Sequence, residues 1–203
     1  MLQLYVDQGF LSPYAMAVFV ALSEKGLPFD VRTRDLGHGE QFEPAYREQS
    51  LTSRVPTLLD GAFSLSESSA IIEYLDEAYP ATVRALPAAL KARARARQLQ
   101  AWLRSDLLAL RNERSTETVF GRQAAAPLGE AARAAADKLI AVAEAVVPAD
   151  GGELFGDWCV VDAELALLLK RLTADELPPR LAAYAERQWR RPSLADWRAR
   201  QIR

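Results

Sequence analysis

The sequence predicts a two-part protein, a mixed α/β domain over residues 1–80 followed by an all-helical domain over 89–203. Strand and helix signals alternate through the first eighty residues, whereas everything beyond about residue 88 carries only helical periodicity. Between them, Tyr79 to Ala89 (YPATVRALPAA) carries two prolines and reads as a connection.

Leu2 to Val6 (LQLYV) is apolar and aromatic, the composition of a strand. Residues 13–25 (PYAMAVFVALSEK) follow as a helix, with Pro13 in the first turn and Gly26 just past the end. Phe29 to Arg34 (FDVRTR) alternates apolar and polar as a half-buried strand does. After a polar loop, VPTLLDGAFSL places two short strands around Asp60-Gly61, a hairpin signal. Ile71, Ile72, Leu75 and Ala78 continue as a helix. The order β-α-β then β-β-α is that of a thioredoxin-like domain, a mixed sheet flanked by helices.

In the second part, KARARARQLQAWLRSDLLALR aligns Ala92, Ala96, Leu99, Leu103, Leu107 and Leu110 on one helical stripe. Its arginines fall outside that stripe. Residues two apart on a helix diverge by about 200°, so RARAR splits between two faces and reads as solvated helix surface, not as a nucleic-acid patch. Residues 130–147 form a second amphipathic helix, Val160 to Leu172 a nearly apolar one expected at the centre of a bundle, and 179–188 and 193–200 two more.

Composition excludes several function classes. Lys+Arg 25 against Asp+Glu 27 leaves a net charge of -2, so no basic field draws nucleic acid. No apolar run approaches the roughly 20 residues that span a bilayer, and MLQLYVDQGF lacks the features of a secretory signal; a cytoplasmic address is expected. A single cysteine, Cys159, rules out an intrachain disulfide framework. With one histidine, His38, no paired zinc spacing exists and no metal is expected. No phosphate-cradling glycine loop follows any strand.

Chemistry concentrates at three places in the first part. Ser12-Pro13-Tyr14-Ala15 lies where glutaredoxins carry Cys-Pro-Tyr-Cys, so this chain has no thiol of its own there and any thiol chemistry needs a borrowed one. Val55-Pro56 opens a strand, where a cis bond would turn the Val55 backbone N–H and C=O outward to pair with an extended peptide. Ser66-Glu67-Ser68-Ser69 crowds the start of one helix. Capping needs only one of these groups. A helix N-terminus at Ser68 suits a carboxylate and Glu67 beside it suits an ammonium, and one α-amino acid end carries both. Glutathione presents that end on its γ-glutamyl residue, and its cysteinyl backbone can pair with Val55 while its thiol reaches toward Ser12.

With SPYAMAVFVALSEKGLPF, the RVP-T-L segment, LSESSAIIEYL and LFGDWCVVDAELAL, the chain resembles the cytosolic glutathione transferases over essentially its whole length. Through FLSPY, RARARQLQAWLRSDL and LFGDWC it is most similar to the bacterial YfcF-like branch. The resemblance implies glutathione as co-substrate, a helical domain supplying an apolar site for a small electrophilic or peroxide co-substrate, and a homodimer. It implies Ser12 as the hydroxyl that donates to the glutathione sulfur, Glu67 and Ser68 as the γ-glutamyl grip, Val55 with Pro56 as the backbone contact, and Arg54 near the glycyl carboxylate. Phe10, Tyr14 and Trp102 are expected to line the apolar pocket, and Asp106 to reach across the dimer. The familiar Ser/Thr-x-x-Asp box reads here Cys159-Val160-Val161-Asp162, so the cap is expected to rest on Asp162. The expected activity is attack of the bound thiolate on a carbon electrophile, a hydroperoxide or a disulfide. The alternative is a non-catalytic interaction module on the same fold.

Overall fold

The computed structural model describes residues 1–201. The described residues divide into two compact units, Met1–Leu86 joined by residues 196–201, and Pro87–Ala195.

The first unit is a thioredoxin-like α/β domain. Strand β1 (Leu2–Asp7) lies inside a four-stranded sheet of order β2-β1-β3-β4, with β2 at Phe29–Arg34, β3 at Thr57–Asp60 and β4 at Phe63–Ser66. β1 runs parallel to β2 and antiparallel to β3, and β3 pairs antiparallel with β4 through the Asp60-Gly61 turn, where Gly61 has φ +60°. Helix α1 (Pro13–Glu24) starts at the Ser12 N-cap and buries every residue from Ala15 to Leu22. It ends in a Schellman motif: Gly26 takes φ +65°, its N–H bonds the Ser23 carbonyl at 3.0 Å, and Leu27 N–H bonds the Leu22 carbonyl at 3.1 Å. Helix α3 (Ser68–Ala78) packs beside α1 and buries Ile71, Ile72 and Leu75.

Successive strand residues face opposite sides of a sheet. Leu2 pairs with Phe29, whose ring meets Phe19 of α1 edge-on at 5.3 Å, so Leu2, Leu4 and Val6 face α1. On the other face, Tyr5 meets Tyr46 of a short helix α2 (Pro44–Arg47) at 5.3 Å. That helix, and a 3-10 turn at Glu40–Phe42, fall in the segment expected as a polar loop. Their brevity defeats periodicity, and only Tyr46 within them is buried.

A buried ion pair closes the unit. Lys25 Nζ sits 2.8 Å from Asp76 Oδ1 and 2.9 Å from the Val83 carbonyl, while the Asp76 carboxylate accepts the N–H groups of Ala85 at 2.8 Å and Leu86 at 2.9 Å. The end of α1, the last turn of α3 and the connection toward the second unit are thereby tied together.

The second unit is all helical. Its helices are α4 (Leu90–Ser105), α5 (Leu108–Glu113), α6 (Thr116–Val119), α7 (Glu130–Val146), α8 (Val160–Leu169) and α9 (Pro179–Trp189), and α10 (Pro192–Ala199) begins in it. All ten residues of α8 are buried, as expected for a bundle centre, with α4, α7 and α9 packed around it. Asp162 Oδ2 accepts the Cys159 N–H at 3.0 Å and Oδ1 accepts the Tyr184 hydroxyl at 2.8 Å, so the carboxylate caps the helix that cysteine begins. Burial pushes the Cys159 thiol well above its ordinary range, which makes it chemically inert.

The helix expected to run unbroken past Leu107 is interrupted. Leu107 adopts φ +63°, and α5 begins only at Leu108. The Asp106 carboxylate is the cause. Its Oδ1 takes the Leu107 N–H at 2.7 Å, and a side chain that offers the backbone such a partner competes with the helical ladder. Leu107 and Leu110 remain buried, which is why the apolar stripe continued in the sequence across a break in the backbone. Among the described residues, no helix is long and apolar enough to cross a membrane.

Candidate functional site

Three chain segments meet at one end of the sheet. Tyr5 pairs with Thr57, and Thr57 with Ser66. The loop leaving β1, the Val55-Pro56 segment entering β3 and the Glu67-Ser68 segment leaving β4 therefore share one edge. Register alone juxtaposes residues that are far apart in sequence.

The loop from Gln8 to Ser12 is fixed by Asp7, a buried residue that the sequence reading passed over. Its Oδ2 accepts the Leu11 N–H at 2.6 Å, its Oδ1 accepts the Ser12 N–H at 2.9 Å, and its carbonyl accepts the Phe10 N–H at 3.0 Å. The available signal was an aspartate at a strand end, five residues before a serine and its Pro at a helix start, which is a capping arrangement around a loop. Ser12 is half-buried. Its Oγ accepts the Ala15 N–H at 3.2 Å, so the hydroxyl caps α1 with a lone pair and its proton stays available to donate elsewhere. Phe10 takes φ +54° and is buried, its ring edge-on to Trp197 at 5.0 Å; Tyr14 is half-buried on the first turn of α1.

The peptide bond between Val55 and Pro56 is cis. The preceding residue, Arg54, is exposed, but its carbonyl is held by buried hydroxyls: Tyr46 Oη at 2.8 Å, Thr57 Oγ1 at 3.0 Å and Ser50 Oγ at 3.2 Å. This cluster immobilises the backbone leading into Val55. Among the described residues, the Val55 N–H and C=O take no partner from the chain's loop and cap hydrogen bonds.

Glu67 is the N-cap residue of α3, exposed, with φ +73° and ψ +112°, and its side chain makes no capping bond. A bulky residue in that region is strained by about 1–3 kcal/mol, and such strain clusters at binding sites. Ser68 is buried as the first helical residue, and the Glu67 carbonyl accepts the Ile71 N–H at 2.9 Å. A serine side-chain cap, the simplest reading of the serine-rich stretch, is therefore not what the N-cap position provides.

Trp102 and Asp106 lie in the helical unit and bond to each other, Trp102 Nε1 to Asp106 Oδ2 at 2.9 Å. Lys138 also pairs with Asp106, and its ammonium, with the Leu107 N–H, lowers the carboxyl pKa to about 2. Among the described residues, no group of three or more His, Cys, Asp or Glu is arranged to hold a metal ion.

Residues 89–202 match the family model for the glutathione S-transferase C-terminal domain, and residues 10–83 that for the glutathione S-transferase N-terminal domain. Among curated relatives, glutathione S-transferase theta-2 of Rattus norvegicus is 37% identical over 101 residues, 50% of this chain and 41% of that protein. Glutathione S-transferase theta-1 of Homo sapiens is 36% identical over 106 residues, 52% of this chain and 43% of that protein. The matched stretch is thus less than half the length of these relatives. Among solved structures, a glutathione transferase homolog from Burkholderia gl BGR1, with bound glutathione, is 45% identical with a TM-score of 0.79, covering 97% of this chain and 95% of that one. Rice GST1 in complex with glutathione is 26% identical with a TM-score of 0.74, covering 96% and 89%.

Proposed function

We infer the function from one premise, that the chain belongs to the glutathione S-transferase family. It binds glutathione at the shared edge of the sheet and delivers the thiolate to an electrophile. The observation that carries this reading is the convergence of Ser12, Val55 and Glu67-Ser68 at one end of paired strands. Each segment suits a different part of one tripeptide. The Val55 backbone groups, without a loop or cap partner among the described residues, match the cysteinyl amide. Glu67 faces the γ-glutamyl ammonium, while the N-terminus of α3 at Ser68 receives the α-carboxylate. Arg54, exposed beside Val55, is placed to attract the glycyl carboxylate.

Ser12 supplies the chemistry. A thiol of ordinary pKa, about 8.5, is mostly protonated at neutral pH. A hydroxyl whose lone pair is already engaged by Ala15 N–H points its proton toward the sulfur and favours the thiolate. While the thiol pKa stays well above 7, each unit of depression makes roughly tenfold more thiolate available at pH 7.

Finer assignments extend the same reading. The stretches FLSPY and LFGDWC support a place beside the bacterial YfcF-like branch, with hydroperoxide or disulfide reduction alongside conjugation. Phe10, Tyr14 and Trp102 are proposed for the co-substrate pocket, and Asp106 for a contact across a homodimer. A cytoplasmic address accords with the single buried thiol.

The test is titration with millimolar glutathione followed by turnover of an aryl halide, cumene hydroperoxide and a small disulfide. Binding with turnover of at least one is expected, and absence of binding would return the chain to the interaction-module reading. Ser12→Ala is expected to lower kcat while leaving glutathione affinity nearly intact, and to cost about 1 kcal/mol of stability through the lost cap.

A further inference from the structure

Residues 196–201 belong to the first unit, not to the helical one that precedes them. Trp197, on the last turn of α10, is fully buried, with Phe10 edge-on at 5.0 Å and Phe19 edge-on at 5.3 Å. Arg200 lays its guanidinium over the Phe19 ring at 5.2 Å. Gln201 donates its Nε2–H to the Phe10 carbonyl at 3.0 Å. These contacts fall on the loop whose Phe10, Leu11 and Ser12 N–H groups Asp7 already holds. Phe10 N–H goes to the Asp7 carbonyl, Phe10 C=O to Gln201, and the N–H groups of Leu11 and Ser12 to the Asp7 carboxylate.

Phe10 needs that support. Its φ of +54° is costly for an aromatic residue, and such a conformation persists only where the surroundings over-determine it. Asp7 holds the loop from the strand side alone. Trp197 and Gln201 grip the same residue from the opposite chain end, one by its ring and the other by its carbonyl. The Trp197 indole N–H has no acceptor among the described residues, although it is buried. An orphaned N–H destabilises, so the side chain's contribution here is the ring volume that fills the space between Phe10 and Phe19.

We propose that Trp197 and Gln201 are positioning residues for Ser12: they lock Phe10 and thereby hold the loop that aims the serine hydroxyl. The inference rests on the glutathione reading for its catalytic consequence but not for its structural one. Two readouts separate them. Amide hydrogen exchange on the unliganded protein reports the loop whether or not glutathione binds. The pH dependence of thiolate absorbance in the glutathione complex reports the aim of Ser12.

Trp197→Ala is expected to speed exchange at Leu11 and Ser12, to raise the bound thiol pKa by about one unit and so to lower kcat at neutral pH by about threefold to tenfold, with KM for glutathione nearly unchanged. Trp197→Phe, which removes the orphaned N–H but keeps an aromatic ring of smaller volume, restores part of the loss. Gln201→Ala, a mild change that leaves the ring cluster intact, gives about fivefold faster exchange at the same amides. If Trp197→Ala unfolds the protein, Gln201→Ala alone decides. Unchanged exchange at Leu11 and Ser12 in every folded variant overturns the proposal. So does faster exchange with the thiol pKa of the wild type. Failure of the wild-type protein to bind glutathione sinks the functional reading instead and leaves the exchange result to judge the loop.

Discussion

The Asp7 carboxylate and the Ser12 N–H are joined at 2.9 Å across the loop between the first strand and the first helix. The same carboxylate also takes the Leu11 N–H at 2.6 Å, so one buried side chain replaces the solvent that two loop amides would otherwise need. Charge-assisted bonds of this kind are among the stronger ones. Asp7→Ala is expected to cost about 2–3 kcal/mol in urea unfolding, more than the about 1 kcal/mol expected for Ser12→Ala, and to lower glutathione turnover. Asp7→Asn, which keeps one acceptor oxygen, should fall between. Wild-type stability in Asp7→Ala would show that the loop is held by other contacts.

Glu67 separates stability from function. Its positive φ is strained, and glycine adopts that region freely at an entropic cost of about 0.5–1 kcal/mol in the unfolded chain. The strain exceeds that cost, so Glu67→Gly is expected to gain about 1 kcal/mol in stability while losing tenfold or more in glutathione affinity. Glu67→Gln keeps the backbone and loses only the charge. Calorimetric binding alongside thermal melts of both variants checks the pair, and a Glu67→Gly protein that binds as tightly as wild type would remove Glu67 from the site.

Lys25 and Asp76 are unequal partners in their buried pair. Their side chains are 1% and 7% exposed. Among the described residues, removing Asp76 leaves the ammonium with the Val83 carbonyl, whereas removing Lys25 leaves the carboxylate with the N–H groups of Ala85 and Leu86. Asp76→Ala is therefore expected to cost about 3–5 kcal/mol, and Lys25→Met roughly half as much. Equal losses in denaturant titrations would show that the two N–H bonds contribute little.

Acid stability has an identifiable component at Glu176. Burial alone would raise its pKa, but the Thr173 N–H, Arg114 and Arg133 outweigh it and bring the value down to about 2. A carboxyl depressed below its ordinary value of 4.5 stabilises the fold above that pH, and the contribution is lost as pH falls from about 4.5 to about 2. Unfolding free energies measured at pH 6 and pH 3 should differ less in Glu176→Gln than in wild type. An identical pH slope in the two proteins would contradict the assignment.

Much of the fold was legible because apolar spacing and turn chemistry are local. Pro13 and Gly26 bracket α1, Asp60-Gly61 turns the hairpin, and Val160–Leu169, apolar except for Asp162 and Glu164, lies at the bundle centre as its composition implies. Periodicity failed where a side chain overruled the backbone. Asp106 diverts the Leu107 N–H and breaks the helix, yet Leu107 stays buried, so nothing in the apolar pattern marks the break. Helix α2 was hidden because four residues carry no period, and its role is carried by Tyr46, whose hydroxyl holds a carbonyl eight residues away.

By itself, the sequence determined the two-part architecture, the absent dithiol at Ser12-Pro13-Tyr14-Ala15 and the residue types proposed for a γ-glutamyl grip, since each depends on neighbours within a few positions. Only the tertiary structure decided that Asp7 anchors the Ser12 loop, that Glu67 holds a strained backbone in place of a serine cap, and that residues near the carboxyl terminus return to Phe10. Those relationships depend on strand register and on contacts across as many as 191 positions of chain. Such contacts form because packing and buried hydrogen bonding reward them in the folded state, and no local pattern encodes them.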